Sequence, residues 1–291
     1  MRTYLQDFFK TFSYEAADTV SLLACYDRIQ AHPEACALWE EAVGMYTRAV
    51  DCDYEKAMLL SQQAGDLVQQ HEYTSKLLLF ICMSKQLKEY YAQRGIDPEI
   101  YHNSMLDLRY KLEECKLVWG IPGSFVAGWF VGFFKLTRFA LGRLQFEIIP
   151  FNREYTKDGI VLTPESKVIN VHIPRTGTPM DPESCDAAFR QAKAFFAGQW
   201  SEPCTFHCGS WLLFPAHREI LPAHSNVYKF MERFEIVAEY EDREGRNLWR
   251  LFDTYERNPD RLPADSSMRR NYIAYLKQGR YPGSATGIFF L

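Results

Sequence analysis

The residues best suited to hold an anion are Arg175, Thr176, Gly177 and Thr178, which lie between a β-branched run, KVINVHIP, and a strongly marked helix start, Asp181-Pro182-Glu183. A strand, a short glycine-bearing loop and a helix start bring free backbone N–H groups together, and phosphate is the natural guest. Asp181 and Glu183 already occupy the positive end of that helix, so the same residues also suit a plain structural connection. Cys204, His207, Cys208 and His217 are zinc-ligand types, but on an extended strand Cys204 and Cys208 share a face from which His207 points away. Ser210 follows Gly209, lacks the second glycine of a nucleophile elbow and sits inside a strand pattern. Neither a bound metal nor a serine nucleophile is expected.

The elements that must position the anion turn follow from side-chain alternation. Ile169, Val171 and Ile173 point one way and Asn170 and His172 the other, which is a strand with one dry face ending at Pro174. Asp181 is an N-cap residue and Pro182 fits the first helical position; Cys185, Phe189, Ala192 and Phe196 then recur at helical spacing up to Gly198. The distance from Ile173 to the next strand, near Cys204, allows a parallel crossover. Upstream, Leu144, Phe146 and Ile148 alternate with Arg143, Gln145 and Glu147, and Lys157-Asp158-Gly159 predicts a turn into IVLTP. Downstream, CTFHCGSWLLF predicts one long buried strand, and a helical segment from Pro215 through Ser225, Asn226, Phe230 and Phe234 follows. FEIVAEY and NLWRLFDTY, joined by Asp242-Arg243-Glu244-Gly245, predict a hairpin. A short helix from Met268 to Leu276 and a docked IFFL end complete the chain.

Before Trp119 the pattern is helix after helix, with cap-then-proline starts at Pro33 and Asp97-Pro98. It breaks at Gly120-Ile121-Pro122-Gly123, after which a helix over 124–141 is predicted. The expected architecture is an α+β two-domain chain, with a helical domain over 1–122 and a mixed α/β sheet domain over 123–291. A net charge of −4 and the absence of a Lys/Arg run argue against a nucleic-acid partner. The eight scattered cysteines fit reduced core residues of a cytoplasmic protein. No signal-peptide core is present, and the apolar stretch 124–134 is too short to span a membrane. His71 and His102 are isolated and fit surface or satisfied core positions.

The order after Gly142 resembles the GNAT acyltransferase fold, in which the fourth strand, a phosphate-binding turn, a helix and the splayed fifth strand hold coenzyme A. More closely, LGRLQFE (Leu141 to Glu147), VHIP with the glycine of RTGTP (Val171 to Pro179), SWLL (Ser210 to Leu213) and LPAHSNVYKF (Leu221 to Phe230) together resemble a bacterial acyltransferase-like family with an all-helical N-terminal domain and a GNAT-like C-terminal domain. In that superfamily the turn reads roughly Q/R-x-x-G-x-G/A. Arg175 matches the basic start, Gly177 a turn glycine, and Thr176 and Thr178 neighbouring donors; the second small residue is absent, and Pro179 and Met180 lengthen the turn. Asn226 and Tyr228 are the nearest matches to an Asn and a Tyr placed near the thiol leaving group.

What the resemblance implies is transfer of an acyl group from acetyl-CoA or another acyl-CoA to the amine of a small molecule or peptide, without a metal. That chemistry needs a base for the amine, a donor to the carbonyl oxygen and a proton for the thiolate. Glu147, His172 and His207 are the available bases, with His172 favoured beside the turn; a backbone N–H near Ile173 can steady the oxyanion, and Tyr228 is the candidate acid. The alternative is a GNAT-like binding or interaction protein that kept the fold and lost the catalyst.

Overall fold

The computed structural model describes all of residues 1–291, which divide into two compact units, Met1–Phe139 and Ala140–Leu291. Six helices make up most of the first unit: α1 (Arg2–Thr11), α2 (Ala16–Ala31), α3 (Pro33–Arg48), α4 (Tyr54–Leu67), α5 (Glu72–Gln93) and α6 (Pro98–Trp119). The starts of α3 to α6 are fixed by side chains that take up orphan backbone N–H groups: His32 accepts from Ala35, Asp53 from Lys56, His71 from Tyr73 and Asp97 from Glu99. His71 is thus a helix cap, while His102 stacks on Phe12 with 4.9 Å between ring centroids. Helix α5 is the hub; every residue from Leu77 to Met83 is buried, which only a helix wrapped on all sides permits.

The break at Gly120–Gly123 ends α6 rather than the first unit. Gly120 closes the helix in the left-handed region (φ 69°), and a Cβ on Gly123 would lie 2.4 Å from the carbonyl carbon of Tyr73. Ser124 N–H donates to Tyr73 O at 2.9 Å, and Phe130 and Phe134 then pack on Phe80 at 5.3 and 4.9 Å. The predicted helix over 124–141 does not form. A 3-10 turn (Ala127–Phe130) and a single turn, α7 (Val131–Phe134), end where Leu136 takes a positive φ of 57°, and strand β1 (Arg138–Leu141) follows. No helix is long and apolar enough to cross a membrane.

The second unit is a mixed sheet. After β1 come β2 (Leu144–Pro150), the hairpin β3 (Tyr155–Lys157) and β4 (Ile160–Leu162), then β5 (Lys167–His172), helix α8 (Pro182–Phe195) and β6 (Thr205–Ser210). Two short helices, α9 (His217–Ile220) and α10 (Asn226–Met231), precede β7 (Glu235–Glu241), α11 (Trp249–Phe252), α12 (Ser267–Lys277) and β8 (Gly283–Phe290). The sheet order is β1-β2-β5-β6-β8-β7, and only β5 and β6 run parallel, joined by the crossover helix α8. The α+β two-domain reading of the sequence holds.

Three expectations in this unit fail for identifiable reasons. The hairpin between 234–240 and 247–255 is not formed: β7 pairs with β8 instead, and Leu248, Trp249 and Phe252 are buried in and beside the single helical turn α11. The strand expected over 204–214 stops at Ser210, whose hydroxyl accepts from Leu212 N–H at 3.2 Å and caps a 3-10 turn over Trp211–Leu213. The helical segment beyond Pro215 is two helices, because Leu221 turns extended and Ser225 caps a new start.

Candidate active site

Strand alternation gives the sheet two unlike faces. Phe146, Ile169, Val171 and Phe206 form the dry one, where Phe189 of α8 meets Phe146 at 5.9 Å and Phe206 at 5.1 Å. The other face carries Glu147, Asn170, His172 and His207, brought side by side by the register Glu147↔Asn170 and Asn170↔His207. Phe151, Leu162, Val168 and Ile288 cover that face directly beside the polar group, with Ile288 paired to His207 and Phe151 6.2 Å from its ring.

These four side chains are joined. His172 Nε2 lies 2.6 Å from Glu147 Oε1, Asn170 Nδ2 lies 3.3 Å from the same oxygen, and His207 Nδ1 lies 2.8 Å from Asn170 Oδ1. With Glu147 ionised, His172 must donate from Nε2, which leaves Nδ1 as its basic nitrogen. Both side chains are mostly buried, His172 20% and Glu147 14% exposed, so the pair works in a medium of lower dielectric than water. Burial, reinforced by Arg153 and His172, pushes His207 down to about 4, so its ring is neutral at pH 7.

The parallel pair opens beside this group. β5 and β6 share only the rungs Ile169↔Phe206 and Asn170↔His207, although β5 runs on to His172 and β6 to Ser210. Beyond His207 the two strands hold only their outer neighbours, through Gln145↔His172 and Ser210↔Ala285. Gly209 lies in this parting, exposed, with open space where a Cβ would point. Ile173 stands at its mouth, directly after β5.

The anion turn follows at once. Arg143 holds it from below: its guanidinium donates to the carbonyls of Pro174 (3.1 Å), Thr178 (3.2 Å) and Pro179 (3.2 Å). Drawing these carbonyls onto one cation turns the intervening backbone outward. Gly177 is exposed at φ 76° and its N–H makes no hydrogen bond, whereas Thr178 N–H is taken by Thr176 Oγ1 at 3.3 Å. The acidic neighbours do not claim these amides. Asp181 accepts from Ser184 N–H at 2.9 Å, and the Ser184 amide and hydroxyl hold its carboxyl below the usual range. Arg175 forms a paired contact with Asp253; burial of Asp253 works against its charge, yet Arg175 and Arg269 together hold its carboxyl below normal. The turn thus offers a diphosphate one open amide, that of Gly177; Thr176 N–H donates to Pro174 O at 3.1 Å, the Thr176 and Thr178 hydroxyls bond each other at 2.7 Å, and Asp181 stays ionised nearby.

Asn226 and Tyr228 lie in the first turn of α10, whose Phe230 stacks on Phe189 over the dry face; no hydrogen bond links either side chain to Glu147 or His172. Helix α10 also packs against the 3-10 turn that follows β6. No group of three or more His, Cys, Asp or Glu side chains is placed to hold a metal ion. Sequence reasoning did not single out Arg143, Asn170 or Asp253. Arg143 has the appearance of a charged strand residue, and only the path of the 174–179 turn gives it a task.

A mixed sheet whose two parallel strands part beside a polar cluster, with a glycine turn leading into the crossover helix, defines a GNAT-like fold. Residues 138–289 match the GNAT-like C-terminal domain and residues 3–136 the N-acyltransferase N-terminal domain, and the chain belongs to the family that joins the two. Among solved structures it is similar to an acyltransferase in complex with decanoyl-CoA and teicoplanin, at 21% identity and a TM-score of 0.76. It is also similar to acyltransferase structures with CoA and 10C-teicoplanin (21%, 0.77) and with decanoyl-CoA (19%, 0.74). Each comparison covers 98% of this chain and 87% of the other. No curated protein sequence matches this one.

Proposed function

We propose that this protein transfers an acyl group from a coenzyme A thioester to an amine. The observation that carries the reading is the Glu147–His172 pair, 2.6 Å apart, at the parting of β5 and β6 and next to the open turn at Gly177. The turn residues Arg175 to Thr178 seat the diphosphate. Unpaired main chain after Asn170 lines the pantetheine arm, with the N–H near Ile173 facing the thioester oxygen. The amine nitrogen forms the new C–N bond and the C–S bond breaks. His172 Nδ1 takes the proton from nitrogen, and Glu147 stabilises the imidazolium that results. Tyr228 is the candidate donor to the departing thiolate, since α10 packs against the turn that follows β6.

The neighbours crystallised with decanoyl-CoA and teicoplanin make medium-chain acyl-CoA and an amine-bearing, glycopeptide-like small molecule the first pair to test. The eight free cysteines and the bacterial group that the sequence resembles support a cytoplasmic setting in a bacterium. The experiment is release of free thiol from decanoyl-CoA across a panel of amines. The reading predicts acceptor-dependent release that His172→Ala abolishes. Binding of decanoyl-CoA without release for any acceptor would instead favour a binding protein that has lost the catalyst.

A further inference from the structure

The chain His207–Asn170–Glu147 leads away from the proposed base and is not needed to make it. His207 Nδ1 lies 2.8 Å from Asn170 Oδ1, so the ring must donate from Nδ1. That bond fixes the amide of Asn170, whose Nδ2 then donates to Glu147 Oε1 at 3.3 Å. Rotating the amide would instead bring two oxygens to 3.3 Å and remove a donor from the carboxylate. The 3.1 Å approach of Asn170 Nδ2 to His172 Nε2 is then a contact between two donors that address one carboxylate oxygen.

We infer that His207 and Asn170 are positioning residues: His207 locks the amide of Asn170, and Asn170 holds Glu147 in the orientation that receives His172. This rests on the proposed reading of Glu147 and His172 as the base. The lock sits on Asn170↔His207, the last shared rung before β5 and β6 part, so one contact both ends the pairing and orients the group beside the opening. His207 can serve because it stays neutral: burial, Arg153 and His172 all oppose its protonation. Its ring also meets Phe151 edge-on at 6.2 Å, which holds its plane. Of the titratable groups on this face, Glu147 comes from β2, His172 from β5 and His207 from β6, with Arg153 reaching His207 from the loop after β2.

Nitrogen NMR of the histidine rings in the full-length protein tests this without any substrate. The expected spectrum has His207 protonated on Nδ1 and His172 on Nε2 at neutral pH. In Asn170→Leu, which removes the acceptor of the His207 Nδ1 proton, the spectrum is expected to show His207 as a mixture of the two neutral tautomers. A proton on Nε2 of His207 in the wild type, or an unchanged His207 tautomer in Asn170→Leu, would overturn the inference. Should that variant not fold, the wild-type tautomers decide alone. Kinetics supply the second arm: His207→Phe lowers kcat about tenfold with KM for decanoyl-CoA unchanged, and His207→Gln, which keeps a donor for Asn170, recovers most of it. If kcat responds to His172→Ala but not to His207→Phe, the positioning role fails while the enzyme reading stands. If the wild-type protein does not turn over decanoyl-CoA at all, the enzyme reading fails and the tautomers still report on the lock.

Discussion

Glu147 and His172 meet diagonally across the β2–β5 ladder: Glu147 pairs with Asn170 and His172 with Gln145, yet their side chains close to 2.6 Å. Diagonal neighbours in an antiparallel pair lie within reach only of long or aromatic side chains, which both residues have. A one-residue slip of either strand would turn one of the pair to the dry face against Phe146 and Phe206. The register is thus part of the proposed catalytic apparatus.

Removal of the base therefore separates chemistry from binding. His172→Ala is expected to lower kcat by about 10²- to 10⁴-fold while leaving the dissociation constant of decanoyl-CoA within about twofold of wild type. Glu147→Gln keeps the size of the side chain and loses the charge that stabilises the imidazolium, so a smaller fall is expected, read in the same steady-state assay. A parallel loss of binding in either variant would assign the pair to structure rather than chemistry.

The turn makes a different demand. Arg143→Lys keeps a cation but replaces a planar fork by a single ammonium, which cannot span the carbonyls of Pro174, Thr178 and Pro179 together. Coenzyme A affinity is expected to fall about tenfold or more, with the melting temperature changed by only a few degrees. Isothermal titration on both proteins checks it; unchanged affinity would mean that Arg143 does not set the turn.

Buried His217 and part-buried His207 both make stability fall toward acid. Burial pushes both His207 and His217 down to about 4, whereas an unfolded histidine titrates near 6.5. The unfolded state binds the extra protons, so stability is full above about pH 6.5 and is lost progressively as pH falls toward about 4. Each contributes on the order of 3 kcal/mol to that slope. His217 is fully buried, donates from Nδ1 to Leu212 O at 3.2 Å and leaves Nε2 without a partner among Trp211, Phe214 and Tyr272. The melting temperature of His217→Gln, followed between about pH 4 and about pH 7, should fall less steeply than that of the wild type. Equal slopes would show that His217 is protonated in the folded state.

Much of this was legible in the sequence because the signals were local. Asp181 and Pro182 marked α8 to the residue, and alternation placed Asn170 and His172 on one face. What stayed hidden was long-range. Glu235–Glu241 has the look of half a hairpin, but its partner is Gly283–Phe290, and nothing nearby in the chain says so. Leu248, Trp249 and Phe252 suggested a strand because a four-residue helix is too short to show a period. The joining of Glu147 to His172 depends on strand order, which neither residue encodes. Asp253, in the left-handed region at φ 57°, receives Arg175 and Arg269 from distant parts of the chain, and its role emerges only from the fold.

The most direct measurement is calorimetric titration of decanoyl-CoA into the wild-type protein and Gly177→Asp, with Gly177→Ala as control. Alanine at φ 76° strains the turn by about 1 kcal/mol, while aspartate tolerates the conformation and places a negative charge where the diphosphate belongs. Open space around Gly177 leaves folding intact in both. The expected result is saturable binding to the wild type, modest weakening in Gly177→Ala and no measurable binding in Gly177→Asp. Equal affinity in Gly177→Asp and the wild type, or no binding to either, would contradict the assignment of this turn.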